Sequence, residues 1–170
     1  MLAGVTPLHE IAPAFRDMAH SIVAASVATV DRDGRPRTRI LHPIWEWDGT
    51  DLIGWIATMP TPVKRAHIKA HPEVAVSYWN PSQDTCSAEC AVQWYTDDET
   101  RGMVWDKFAN GPDPVGYDPS IVEAWSDGPT SEQFAVLRLH PYRLRVMAGA
   151  SMTRGVGEPL TWKAEVGSIS

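Results

Sequence analysis

A mainly β fold with peripheral helices, its antiparallel sheet closed or partly closed into a barrel, is what this sequence predicts. Short runs of alternating or β-branched residues, six or seven of them, recur between Ile22 and Lys163, separated by Gly, Asp-Gly or Asn-Pro turn signals. Helical periodicity is confined to the start of the chain and to stretches between those runs. A sheet of that many strands has edges to hide, and rolling it up hides them. The chain has 170 residues, 44% hydrophobic content and no run of about 18 apolar residues, so a single soluble domain with a proper core is expected.

In order, Thr6-Pro7 precedes Leu8, Ile11, Phe15, Met18 and Ile22, an apolar stripe at helical spacing, with Pro13 as a point of bending. Ile22 to Val30 then reads as a strand that turns at Asp31-Arg32-Asp33-Gly34. The next stretch reads as one long strand. Arg35, Arg37, Arg39, Leu41, Pro43 and Trp45 share one face, and Ile40, His42 and Ile44 take the other. Asp48-Gly49 turns it into Leu52–Thr58, giving three consecutive antiparallel strands.

Thr61-Pro62-Val63-Lys64 has the form of a helix start, with Thr61 as N-cap and proline at the first position, and the helix should stop near His71-Pro72. Val74–Trp79 and Cys86–Thr96 read as strands. On the second, Ala88, Cys90, Val92 and Trp94 oppose Glu89, Ala91, Gln93 and Tyr95. A helix begins at Asp97 and runs to about Phe108, and Asn110–Pro119 is a loop whose candidate roles are a lid or a dimer arm. A short helix around 121–125 precedes two strands, 134–139 and 142–147, with Pro141 marking a bulge or break, and Leu160–Lys163 is a last strand. The single domain 1–170 thus divides into a leading helix (1–21), a barrel core (22–96), a helical and loop insertion (97–133) and C-terminal strands (134–170).

An anion is expected where the long strand, the Thr58 end of the next and the helix start converge. Free N–H groups at a helix N-terminus favour phosphate, and Arg39, Thr58 and Lys64 would all reach it. Arg35 and Arg37, near a turn, read as solvated charges. His42 reads equally as a core histidine or as a functional one. The net charge of −6, from 15 basic and 21 acidic residues, argues against a nucleic-acid partner. No membrane span and no secretory signal are visible, which makes the cytoplasm the default location. Cys86 and Cys90 lie on one strand face roughly 13 Å apart, too far for a shared disulfide or metal. The six histidines show no metal-ligand spacing, so no metal is expected. No nucleophile elbow or acid–base constellation appears either, and catalytic residues stay unassigned. Any redox chemistry is then a cofactor's.

Strand, turn, GRPRTRILHP, Asp-Gly turn, LIGWIAT and PTPVKRAHIKAHPEVAVSYW in that order resemble the pyridoxamine 5′-phosphate oxidase superfamily, the FMN-binding antiparallel split β-barrel. The resemblance covers Ile22 to Trp94 well and the C-terminal strands loosely. It implies a flavin-binding domain whose cofactor lies against Arg39, Ile40, Leu41, His42 and Pro43, against Ala57 and Thr58 at the end of the next strand, and against Val63 and Lys64 at the helix start. Ile44, Val63 and Ala57 stand where that pattern has a lysine, an arginine and an aromatic residue, and the C-terminal substrate-phosphate motif is missing. The vitamin substrate is therefore not implied. What is implied is an FMN-dependent oxidoreductase, a homodimer acting on an unnamed small-molecule substrate. The rivals are an oxidoreductase using the deazaflavin coenzyme F-420, with Arg35 and Arg37 toward its anionic tail, and a non-catalytic flavin or haem carrier or sensor. Trp45, Trp55, Trp79 and Trp94 are expected as apolar walls for a ring, and Trp79, Trp94, Tyr95 and Trp105 as interface aromatics.

Overall fold

The structure, a computed structural model, describes residues 5–165. The first residues of the leading segment and the last five of the C-terminal segment lie outside that range. Eight strands and four α-helices follow in the order α1 (Leu8–Ile22), β1 (Ala25–Val30), β2 (Pro36–Leu41), β3 (Pro43–Trp47), β4 (Leu52–Thr58), α2 (Pro62–Ala70), β5 (Glu73–Trp79), β6 (Thr85–Tyr95), α3 (Asp98–Ala109), β7 (Ala135–Met147), α4 (Gly149–Arg154) and β8 (Leu160–Lys163). Every ladder is antiparallel, and the sheet runs β2-β1-β5-β6-β7-β4-β3, with β8 added beside β7.

That order contains a correction. The expected single strand from Arg35 to Trp45 is two, because β2 pairs with β1 and β3 pairs with β4 at opposite edges of the sheet. Three consecutive paired strands therefore do not form. Only His42 separates β2 from β3, and no ladder joins them among the described residues, so the sheet rolls up with an open seam at that residue. The alternation of faces survives the break. Leu41, Trp45 and Trp47 pack on the inner core, while Ile44 faces outward. Ile40, expected beside Ile44 in an apolar row, is instead 72% exposed.

The inner core joins Ile11, Phe15 and Ala19 of α1 to Val27, Trp45, Ile56, Val76, Tyr78, Cys86, Ala88, Cys90, Leu139 and Leu144. Trp45 lies flat over Gly54, its ladder partner; a Cβ there would meet the indole at 2.7 Å, so glycine sets the depth of the ring. The indole N–H donates to Tyr78 Oη at 2.8 Å, and Phe15 meets it edge-on at 4.9 Å. Both cysteines are buried and free. Burial pushes the Cys86 thiol up to about 12, and that of Cys90 further.

A second core lies outside the barrel. Ile44, Trp55, Ala57 and Val136, on the outward faces of β3, β4 and β7, are covered by Val104 and Phe108 of α3 and by Val115, Trp125 and Phe134. The Asn110–Pro119 loop is part of this cover: Val115 is 1% exposed and the Tyr117 N–H donates to the Phe108 carbonyl at 2.9 Å. The short helix expected near 121–125 is two successive 3-10 turns, Pro119–Ile121 and Glu123–Trp125. The two strands expected at 134–139 and 142–147 are one, β7, whose register against β6 shifts between Glu89 and Cys90 so that Tyr142 is the extra residue. Although it comes late in the chain, β7 sits between β6 and β4. The helix α4 had no legible signal.

Candidate functional site

α2 is positioned by its ends. The Thr61 hydroxyl accepts from the Lys64 N–H at 3.4 Å, Pro62 opens the first turn, and His71-Pro72 stops the helix. The helix lies across one mouth of the barrel, with Ile68 in the inner core. Its Lys64 and His67, three residues apart and so on one face, meet Thr58 and Thr29, the last inward residues of β4 and β1. Thr29 and Thr58 are each 3% exposed, His67 6% and Lys64 9%.

The polar contacts there form two chains. Lys64 Nζ donates to Thr58 Oγ1 and, at 2.8 Å, to the Met59 carbonyl. Arg39 Nη1 donates to Thr29 Oγ1 at 2.7 Å, and that hydroxyl lies 2.9 Å from His67 Nδ1. Burial and then the Arg39 charge hold the Lys64 ammonium below its ordinary range, so the two cations sense each other. Among the described residues neither makes a salt bridge. Lys64 has one N–H and Arg39 four beyond the bonds just named. Two adjacent, partly desolvated cations with unused donors and no carboxylate suit an anion, and the chemistry of this donor set fits a phosphate group.

Of the residues the sequence points to, Arg39, Thr58 and Lys64 come together here, while Leu41 packs on the inner core and Pro43 is buried at the start of β3. Ala57 points the other way, into the outer core, and Ile40 and Val63 are exposed, Val63 by 42%. His42 sits at the seam and faces outward, its ring 4.9 Å from Tyr117 and 5.8 Å from Phe108. Among the described residues its buried Nε2 has no hydrogen-bond partner, and burial holds the imidazole below its ordinary range. Sequence reasoning missed Thr29 and His67. A polar residue closing the inward series Ala25, Val27, Thr29, and a histidine one turn past Lys64, were the available signals.

The four tryptophans do not form one wall, a consequence of strand alternation. Trp45 and Trp94 pack on the inner core, Trp55 lies in the outer core, and Trp79 is 56% exposed. Tyr95 and Trp105 pack on the outer core as well, which leaves Trp79 as the exposed member of the expected interface set. A cleft of about 450 Å³ lined by Leu8, Asp51, Gln93, His140, Tyr142 and Trp162 lies beside Leu52, at the far end of β4 from Thr58. No helix is long and apolar enough to cross a membrane, and no group of three metal-ligating side chains gathers among the described residues.

The family model for pyridoxamine 5′-phosphate oxidase matches residues 11–148. No curated protein matches the chain. Among solved structures the chain is similar to a Clostridium acetobutylicum protein related to general stress protein 26 of B. subtilis, of the pyridoxinephosphate oxidase family, at 12% identity and TM-score 0.67, covering 91% of this chain and 95% of that one. A pyridoxamine 5′-phosphate oxidase-related, FMN binding protein from Nostoc punctiforme aligns at 15% identity and TM-score 0.58, over 86% of this chain and 87% of that one. An F-420 reductase aligns at 18% identity and TM-score 0.55, over 76% and 94%. At these identities the shared property is the fold, an antiparallel split barrel.

Proposed function

The chain belongs to the pyridoxamine 5′-phosphate oxidase family, and we propose that it is an FMN-dependent oxidoreductase acting on a small molecule as a homodimer. The observation that carries this reading is the pair of cations Arg39, on β2, and Lys64, at the start of α2, held by threonine hydroxyls and, among the described residues, in no salt bridge. In this reading Lys64, Thr58 and Arg39 bind the cofactor phosphate, and the segment 39–43 runs past the ring with Pro43 and Leu41 excluding water. His42, expected as a wall or hydrogen-bond partner of the ring, faces the outer core at Phe108 and Tyr117 and in this reading supports the segment from behind. FMN, when bound, supplies the hydride and electron transfer; the protein binds, orients and keeps the site dry. Positive charge from Arg39 and Lys64 also favours an anionic ligand electrostatically.

The pairing face we assign is the outer surface of β1 and β5. Ser26, Ala28, Ala75 and Ser77 are paired across those strands, small and outward-facing, with exposed Trp79 and Ile40 at the margins. Such a flat face admits a second sheet closely, and an isologous contact would give two identical sites. A cytoplasmic setting agrees with two free, buried thiols. A second reading, use of coenzyme F-420, is favoured by Arg37 and Arg35, which continue the cationic row from Arg39 along the edge strand β2 toward its turn.

The absorption spectrum and solution mass of the purified protein test both readings. A flavin spectrum at twice 18.8 kDa is expected. A deazaflavin spectrum would select the second reading, a Soret band would replace both with a haem protein, and a tightly loaded monomer would remove the shared site.

A further inference from the structure

Thr29 makes contact with no ligand in the reading above, yet it is among the most buried polar residues of the barrel, and its hydroxyl joins two side chains from different elements. Arg39 is a donor only, so its bond consumes a lone pair of Thr29 Oγ1 and leaves the hydroxyl proton to be placed. Among the described residues the remaining partner of that oxygen is His67 Nδ1. With that proton directed at Nδ1 the nitrogen accepts and the ring proton sits on Nε2, which is the tautomer the relay requires. His67, carried on α2, thus sets the orientation of Thr29, and Thr29 sets the position of the Arg39 guanidinium.

We infer that Thr29 and His67 are positioning residues, a relay that holds Arg39 beside Lys64 for the phosphate group of the bound cofactor. The inference rests on the reading that an anion binds at Lys64. Its physical basis is the state of Arg39 without the relay. Arg39 lies on an edge strand, on a long side chain with much rotamer freedom, and next to a like charge that pushes it outward. Thr58 restrains Lys64 and Thr29 restrains Arg39, so that both cations are held before any ligand arrives, near enough for the Arg39 charge to act on Lys64. Ordering them in advance removes an entropic cost from binding. Because β1 carries one restraint and β4 the other, the two anchors also tie the grip to the barrel rather than to the mobile ends of the side chains.

Titration of cofactor-free protein with FMN and, in parallel, with riboflavin, which lacks the phosphate, separates positioning from folding. Thr29→Val keeps the shape and removes the hydroxyl; it is expected to weaken FMN binding about tenfold, leave riboflavin binding unchanged and leave the thermal midpoint within a few degrees. Thr29→Ser is expected to restore FMN affinity. His67→Gln, whose amide oxygen accepts, should bind FMN more tightly than His67→Phe, and this pair carries the test if Thr29→Val fails to fold. Equal losses for FMN and riboflavin, or no loss while Lys64→Ala still weakens FMN, would overturn the relay and leave the phosphate site standing. A wild-type protein that binds neither FMN nor inorganic pyrophosphate would remove the site and the relay with it.

Discussion

Arg101 and Lys64 are equally buried, each 9% exposed, and each lies close to the start of a helix, but their surroundings differ in kind. Arg101 spends its guanidinium on the protein. Nη1 donates to the carbonyls of Ser131 at 2.8 Å and Phe134 at 3.1 Å, and Nη2 pairs with Asp98 at 2.6 Å and reaches the Thr130 carbonyl. It pins the turn before β7 onto α3 and closes the outer core. Lys64 meets one hydroxyl and one carbonyl, and the charge that acts on it is the Arg39 cation, whereas Arg101 pairs with a carboxylate. A buried charge that is neutralised and tied to backbone holds a fold together. One that is restrained but not neutralised is poised for something that is not part of the chain.

Substitutions at the two positions should therefore separate stability from binding. The largest effect is expected for Arg101→Met, which deletes charge-assisted bonds to two buried carbonyls and should cost about 3 kcal/mol or more, read as a lower urea midpoint. Cofactor affinity of the folded fraction should stay as in the wild type; a selective loss of binding would erase the contrast. Next is Lys64→Ala, expected to weaken FMN by about 1.5–3 kcal/mol with little change in the urea midpoint, since the lost bonds accompany relief of an unneutralised charge. Unchanged affinity would take Lys64 out of the site.

The smallest effect concerns acid. Burial and then the Arg16 charge hold His20 below its ordinary value of 6.5, and its Nε2 accepts the Trp45 N–H at 2.9 Å. The unfolded imidazole takes a proton more readily than the folded one, so this contribution is complete above 6.5 and is lost as pH falls through the window below it. The loss should amount to about 0.5–1.5 kcal/mol, the value of one hydrogen bond. His20→Gln, whose amide oxygen accepts at any pH, should flatten the dependence of the urea midpoint between pH 7.5 and 5. An equally steep profile in that variant would assign the acid sensitivity elsewhere, His42 being another imidazole that burial holds below its ordinary range.

Much of this molecule was legible beforehand. Alternation identified the inward residues Cys86, Ala88, Cys90 and Val92, the Thr61-Pro62 start and Pro72 stop bounded α2, and Asp97 capped α3 through the Thr100 N–H at 2.8 Å. These are local rules: a face, a cap or a turn depends on residues within a few positions. Arg39, Thr58 and Lys64 were also found together, because the β4–α2 connection is short and Arg39 pairs with Val27, two residues before Thr29 on the strand that α2 covers.

What the sequence alone determined was the class of fold, the bounds of most elements and the cationic corner. Tertiary structure alone decided the rest. Ladder partners depend on which strand arrives at each edge, so the sequence from Arg35 to Trp45 reads as one strand although its halves lie at opposite ends of the sheet. The fates of Trp55 and Trp79 depend on whether α3 and the 110–134 segment cover a given outer face, which no period of two records. Thr29 and His67, 38 residues apart, gain a shared role from the placement of α2 over the barrel mouth. A hydroxyl and an imidazole carry that role only when a fold brings them within hydrogen-bond reach and away from competing water.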